Sequence, residues 1–283
     1  MKRTRIQLVK LTEIPPLPIA SQRILATISQ EYVTLTEVTE AVKPSPEITA
    51  QILRAANSAY FGFSGEVTSV DDAIKRVLGL DIVKSFVMVA LLDKPFNSSQ
   101  VPSFDARLYW RIAMITGLMA EKMLPGINAD IETKDGEAFV AGLLINIGMF
   151  GLVHVFPEEM ENTLKDPRSS DLASLQKLMQ FQLKSDLFIA GGWLARQWQF
   201  PRLYQCIIEN CNNSSYNGEY APLVVLIGAC YKIAFDLCGL QANLNESRLV
   251  FSSLGVSESM LEYVIDEVLK EMDGLSSALE MVA

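Results

Sequence analysis

The chain has 283 residues, 49 % hydrophobic and 20 % charged, enough for a substantial apolar core. Its 33 acidic and 24 basic side chains leave a net charge of −9, which argues against nucleic acid, because phosphate neutralisation needs clustered Lys and Arg. The single histidine, His154, rules out His₂ and His₃ metal sites and leaves a Ser-His-Asp triad only one candidate base.

The basic N-terminus (Lys2, Arg3, Arg5, Lys10) is short, and Lys10 and Glu13 interrupt any apolar signal region. No run of 18 apolar residues occurs; Lys84 interrupts Ile82–Leu92, and Lys232 and Asp236 interrupt Ala221–Leu240. A soluble cytoplasmic chain without a membrane partner is expected. Prolines at 15, 16 and 18 forbid helix and favour an extended entry. A helix is expected from about Ser21 to Ser29, with Ile24, Leu25 and Ile28 on one face. Thr34 and Glu37 have capping-box spacing and open a short helix to Val42. Ser45-Pro46-Glu47 supplies an N-cap, a proline at the first helical position and an acid in the first turn. The helix it opens carries Ile48, Ile52 and Leu53 and ends at Asn57-Ser58, with Gly62 as a turn beyond it. Ser69 and Asp72 cap a helix through Val77 and Leu78 that stops at Gly79. Asp81 starts a helix through Leu92, apolar on nearly every side and so deeply buried.

A further helix is expected over about Asp105–Met123, then a polar loop over Pro125–Asp135. The helix from about Gly136 to Ile145 runs into Ala141–Gly151, an apolar stretch with one amide, Asn146, and glycines at 142, 148 and 151. Periodicity alone reads such a run as a buried helix segment or a buried strand. Pro157 opens an acidic helix, Asp171 caps Leu172–Leu183, and Asp186 heads a helix carrying Leu187, Trp193 and Trp198. Gly191 and Gly192 in its middle cost about 1 kcal/mol each relative to Ala, which suggests tight helix–helix contact. Phe200-Pro201 restarts a helix to about Asn210, Ala221–Leu240 is a long buried helix, and Asn245–Leu254 and Ser257–Met272 are amphipathic. The fold class is therefore all-α, with about thirteen helices and no fixed-period repeat. Cys206, Cys211, Cys230 and Cys238 form no Cys-x-x-Cys pair and are expected to be reduced and buried. His154, beside Val153, Val155 and Phe156, is expected to be a packed side chain rather than a base.

Six segments follow one another in a telling order: LPIASQRIL (Leu17–Leu25), ILRAANSAYFG (Ile52–Gly62), VTSVDDAIKRVLGL (Val67–Leu80), Tyr109-Trp110, AGLLINIG (Ala141–Gly148) and GGWLARQWQFP (Gly191–Pro201). Their ordered combination resembles the HDOD domain, a non-hydrolytic bacterial relative of the HD-domain phosphohydrolases. The resemblance implies an HD-domain-like multi-helix bundle. It divides the chain into an N-terminal extension (1–10), an HDOD domain (11–213) and C-terminal helices (214–283) packed on the same bundle as one compact unit.

HD phosphohydrolases hold a divalent metal with His and Asp side chains from several helices. The resemblance places the first histidine of that set near Ile112 and the His-Asp pair on Ile145-Asn146. It places the next histidine near Leu187, a later His-rich stretch near Asn210-Cys211 and the final aspartate near Cys230. Metal ligands need lone pairs and usually deprotonation. Ile and Leu in their place would remove like-charge repulsion and add burial worth about 1.5–3 kcal/mol per side chain. No catalytic residue, metal or cofactor is therefore expected.

The implied function is a silent signalling or scaffolding module that binds unidentified signalling proteins or a small ligand. A chain of this length leaves no room for a receiver, GGDEF or EAL domain, so its inputs are expected on other chains. Asn57, Ser58, Tyr60 and Ser69 form the candidate partner surface; capping and turn structure is the other explanation for them. Asn146 is likewise either a ligand contact or a satisfied buried amide. The alternative function, a metal-dependent phosphohydrolase acting on a nucleotide or cyclic dinucleotide, would need a carboxylate-only site, for example Asp130, Glu132, Asp135 and Glu137. Nucleotide sensing without hydrolysis finds no Gly-rich phosphate loop to support it.

Overall fold

The computed structural model describes residues 14, 17, 19–28, 33–57, 63, 65–93, 95–128 and 136–279. Ser58, Tyr60, Asp130, Glu132 and Asp135 lie outside the described residues. Every regular element among those described is helical, apart from one isolated parallel bridge between Asp171 and Gln241. The first half comprises α1 (Ile19–Ile28), α2 (Leu35–Val42), α3 (Pro46–Ala56), α4 (Val70–Asp72), α5 (Leu80–Asp93), α6 (Ala106–Met123) and α7 (Glu137–Leu144). Then come α8 (Ile147–Val155), α9 (Pro157–Lys165), α10 (Leu172–Leu183), α11 (Leu187–Gln197) and α12 (Arg202–Asn210). The chain closes with α13 (Ala221–Leu237), α14 (Leu244–Ser253) and α15 (Glu258–Leu279). The expected all-α bundle is thus what the chain adopts.

Local chemistry explains most of the boundaries. Thr34 and Glu37 form the reciprocal capping box at the head of α2. Asp105, Asp171 and Asp186 cap α6, α10 and α11 by accepting first-turn N–H bonds. Ser45 departs from expectation. It stands at the N-cap of α3 but makes no side-chain cap bond, and Pro46 at the first position has no N–H to be satisfied. Ser69 caps α4 by accepting from the N–H of Asp72 at 3.1 Å. The helix beyond it is not α-helical as expected. Residues Ala73–Leu78 form a π-helical turn, closed by an N–H bond from Gly79 to Ile74 at 3.0 Å, and Gly79 then leaves the helix at φ +79°.

The packing centres on α6, twelve of whose residues are buried. It packs against α7, α13 and α15, while α8 lies along α11. One apolar cluster extends from Ile14 to Met272. The stretch Glu137–Val155 is long and apolar enough to cross a membrane by composition, yet 89 % of its most apolar window is buried inside the protein. That hydropathy serves the core.

The α5–α6 connection is tied to the neighbouring helices by two side chains. Half-buried His154 accepts from the N–H of Asn97 through Nδ1 at 2.9 Å and meets Phe96 edge-on. Glu161 accepts from the N–H and hydroxyl of Ser103 at 3.0 and 3.1 Å. The Ser103 N–H, together with the Ser103 hydroxyl and Lys165, holds the Glu161 carboxyl below its ordinary range. A carboxyl lowered by folding contributes stability above its unfolded pKa and loses it as pH falls through the folded value. Glu161→Gln should therefore flatten the fall in melting temperature below about pH 5. Superimposable pH profiles for the two proteins would remove Glu161 from the acid transition.

Candidate functional site

The site is built around the break between α7 and α8. The α7 ladder tightens at its end, where Ile145 N–H bonds Gly142 at 3.3 Å. Asn146, at φ −94° and ψ 4°, leaves the helix, and its carbonyl accepts from Met149 to start α8. The helix end and turn expected within Ala141–Gly151 are therefore present, and the stretch is helix rather than strand. The Asn146 side chain caps nothing. Fully buried, it donates from Nδ2 to the carbonyl of Tyr109 at 2.8 Å and accepts at Oδ1 from the Tyr231 hydroxyl at 2.9 Å. Both polar ends of the amide are satisfied within the core.

Close backbone approaches hold this junction together. A Cβ on Gly148 would lie 1.9 Å from the Leu187 carbonyl and 2.4 Å from Gly191 N. One on Gly142 would lie 2.4 Å from Gly117 Cα, and one on Gly228 would lie 1.8 Å from the Cys211 carbonyl. The tight contact suggested by Gly191 and Gly192 is real: Gly191 faces Gly148, and Gly192 faces Glu209. Glycine at these positions lets α8 meet α11, α6 meet α7, and α13 meet the end of α12 at backbone distance.

The assigned positions sit on those converging elements. Ile112 of α6, Ile145, Leu187 at the head of α11, and Cys230 of α13 are each fully buried, and Cys211 nearly so. Half-buried Asn210 donates to the Cys206 carbonyl at 2.8 Å. Burial pushes the Cys211 and Cys230 thiols well above their ordinary range, so both stay protonated. The same burial raises the hydroxyls of Tyr109 and Tyr231. The cysteines are free, and Cys206, Cys211 and Cys230 are buried as expected, whereas Cys238 is half-buried. Among the described residues, no group of three or more His, Cys, Asp or Glu side chains could hold a metal. The donor set does not fit a divalent cation: three aliphatic side chains, two amides hydrogen-bonded within the fold and two protonated thiols. Glu137, the described member of the carboxylate-only alternative, stands half-buried in the first turn of α7.

The two described partner-surface candidates, Asn57 and Ser69, make bonds within the fold. Asn57 donates from Nδ2 to Leu53 at 2.9 Å and Val67 at 2.7 Å, and accepts from Val67 N–H at 2.8 Å. Its amide thus joins the end of α3 to the segment leading into α4, and Ser69 is the cap of α4. Asn57→Ala should lower stability by about 1–2 kcal/mol in urea denaturation. An unchanged midpoint would leave the amide free for other work. Tyr231, the partner of Asn146, belongs to none of the sequence motifs. Its one visible signal is a phenol next to Cys230 in a helix that is otherwise almost wholly apolar.

The HDOD domain family matches residues 14–214. The chain belongs to the HDOD family. An uncharacterised protein of Treponema pallidum (strain Nichols) is 22 % identical over 218 residues, 76 % of this HDOD chain and 41 % of the relative. A Marinobacter aquaeolei VT8 crystal structure, of a protein named for signal transduction, superposes with a TM-score of 0.82 at 22 % identity. It is covered over 66 % of its length by 99 % of this chain. An HDOD domain protein of Geobacter sulfurreducens superposes at 0.71 with 16 % identity and 99 % coverage of both chains. A Shewanella amazonensis SB2B structure named as a phosphohydrolase superposes at 0.72 with 22 % identity and 98 % coverage of both. The chain therefore spans less than two thirds of both the Treponema and the Marinobacter relatives. At these identities the structural likeness establishes the fold.

Proposed function

We propose that this HDOD chain is a non-catalytic regulatory module of signal transduction, acting by binding a signalling protein or a small ligand. The observation that carries the reading is Asn146. At the position where the resemblance puts the aspartate of the metal-binding pair, a buried amide ties α6, the α7–α8 junction and α13 together. Ile112, Ile145 and Leu187 surround that role with aliphatic packing, and a filled core of this kind has no open coordination position. The Marinobacter protein's name is consistent with signalling.

The Shewanella protein's name points the other way, to phosphohydrolase chemistry. Purified protein assayed against nucleotides and cyclic dinucleotides with added Mn²⁺ separates the two readings. The regulatory module shows no turnover above buffer, and affinity capture from the native cell returns a specific protein. Turnover that scales with stoichiometric bound Mn²⁺ would establish the phosphohydrolase instead.

A further inference from the structure

Beside the α7–α8 junction, the molecule carries a cleft of about 500 Å³ that reaches Leu144 at the end of α7. It lies between α1, α5, α7 and the connection from α11 to α12. Its walls are apolar: Leu25, Met88, Leu144, Trp198 and Phe200. Both volume and lining suit a small organic ligand, which needs apolar walls and a few oriented polar groups.

Two features give the cleft a chemical preference. Arg23 lines it on the α1 side, exposed and, among the described residues, without an acidic partner. By contrast, Arg168, Arg196, Arg202 and Arg248 each hold a carboxylate. In a chain of net charge −9, a guanidinium with no acidic partner among the described residues, set beside an apolar wall, favours an anion at that place. The indole N–H of the buried wall residue Trp198 also has no acceptor among the described residues, which is uncommon for a group so enclosed.

We propose that this cleft is a binding site for a small amphiphilic anion, an apolar chain or ring carrying one carboxylate. The apolar body lies against Leu25, Met88, Leu144 and Phe200, and the carboxylate pairs with Arg23. The site adjoins the junction through Leu144 but does not include Asn146, and it involves no chemical step. It deepens the regulatory reading by naming a ligand class, and it rests on that reading for its biological meaning.

The test uses two probes with tails of equal length and opposite heads, decanoate and decyltrimethylammonium, both below their micelle concentrations. Calorimetric titration, with tryptophan emission as a second readout, follows binding to the full chain. Decanoate should saturate a single site and bind roughly fivefold more tightly than the cation. Arg23→Ala should erase that preference. Ala26→Phe, at an exposed α1 position lining the cleft, should block both probes without changing the melting temperature. Equal binding of the two probes, absence of saturation, or titrations untouched by either variant would overturn the proposal. A change of oligomeric state on Ala26→Phe without decanoate binding would give the cleft to a second copy, and would overturn it too. Failure here leaves the regulatory reading standing, because that reading is decided by the turnover assay and not by this cleft.

Discussion

Gly148→Ala should destabilise the protein by about 3 kcal/mol or more, a large share of a typical domain's total stability. The added methyl would meet the Leu187 carbonyl at 1.9 Å and Gly191 N at 2.4 Å. Both obstacles are backbone, so no side-chain rotation relieves them, and α8 and α11 would have to move apart. The usual gain of about 1 kcal/mol for replacing a helical glycine by alanine offsets only part of that loss. Gly151→Ala, one turn further along α8, is the matched control. Its methyl would meet Leu194 Cδ1 at 2.6 Å, the far end of a rotatable side chain. It should cost less than about 1.5 kcal/mol. Urea denaturation of the two variants distinguishes them. Equal effects would show that the α8–α11 approach is not what sets the helix spacing.

Asn146→Leu should cost about 3 kcal/mol while nearly preserving side-chain volume. It removes two buried hydrogen bonds and leaves the Tyr231 hydroxyl without its acceptor, in surroundings where each such loss costs about 1–3 kcal/mol. Tyr231→Phe in the same background should recover part of the loss, because removing both partners of a buried bond is milder than removing one. Strict additivity of the two substitutions would mean that Asn146 and Tyr231 do not act as a pair. Asn146→Asp is the more pointed variant, since it introduces the aspartate that the resemblance to HD phosphohydrolases implies at this position. One carboxylate oxygen would then face the Tyr109 carbonyl in a fully buried site. Desolvation raises such a carboxyl, so the folded state holds a proton that the unfolded state has released. The variant's stability deficit should therefore grow as pH rises above about 4, the unfolded aspartate value, and narrow below it. A deficit independent of pH would place water or a cation beside position 146.

Much of this architecture was legible in the sequence because it rests on local rules. Helix class, the capping box at Thr34, the caps at Ser69, Asp171 and Asp186, and the close contact at Gly191 all follow from a few neighbouring residues. Ser45 failed as a side-chain cap although its residue pattern was ideal. The π turn at Ala73–Leu78 gives no periodic signal that differs from an ordinary short helix. Asn146 marks the limit of such reading. Its position in an apolar run flagged it, but its partners are Tyr109, 37 residues before it, and Tyr231, 85 residues after it. Contacts of that separation are set by how α6, α8 and α13 cross, and no local pattern encodes the crossing. Asn57 shows the converse. It is exposed, as its sequence suggests, yet its amide is taken up by the backbone of Leu53 and Val67.

We propose that the positions that hold the metal in HD phosphohydrolases have become part of the core in this chain. Metal content by mass spectrometry, on protein equilibrated with Mn²⁺ and then desalted, tests it most directly, with the Asn146→Ala variant treated alongside. The account predicts far less than one metal per chain in both. About one retained metal per wild-type chain, lost in Asn146→Ala, would contradict it.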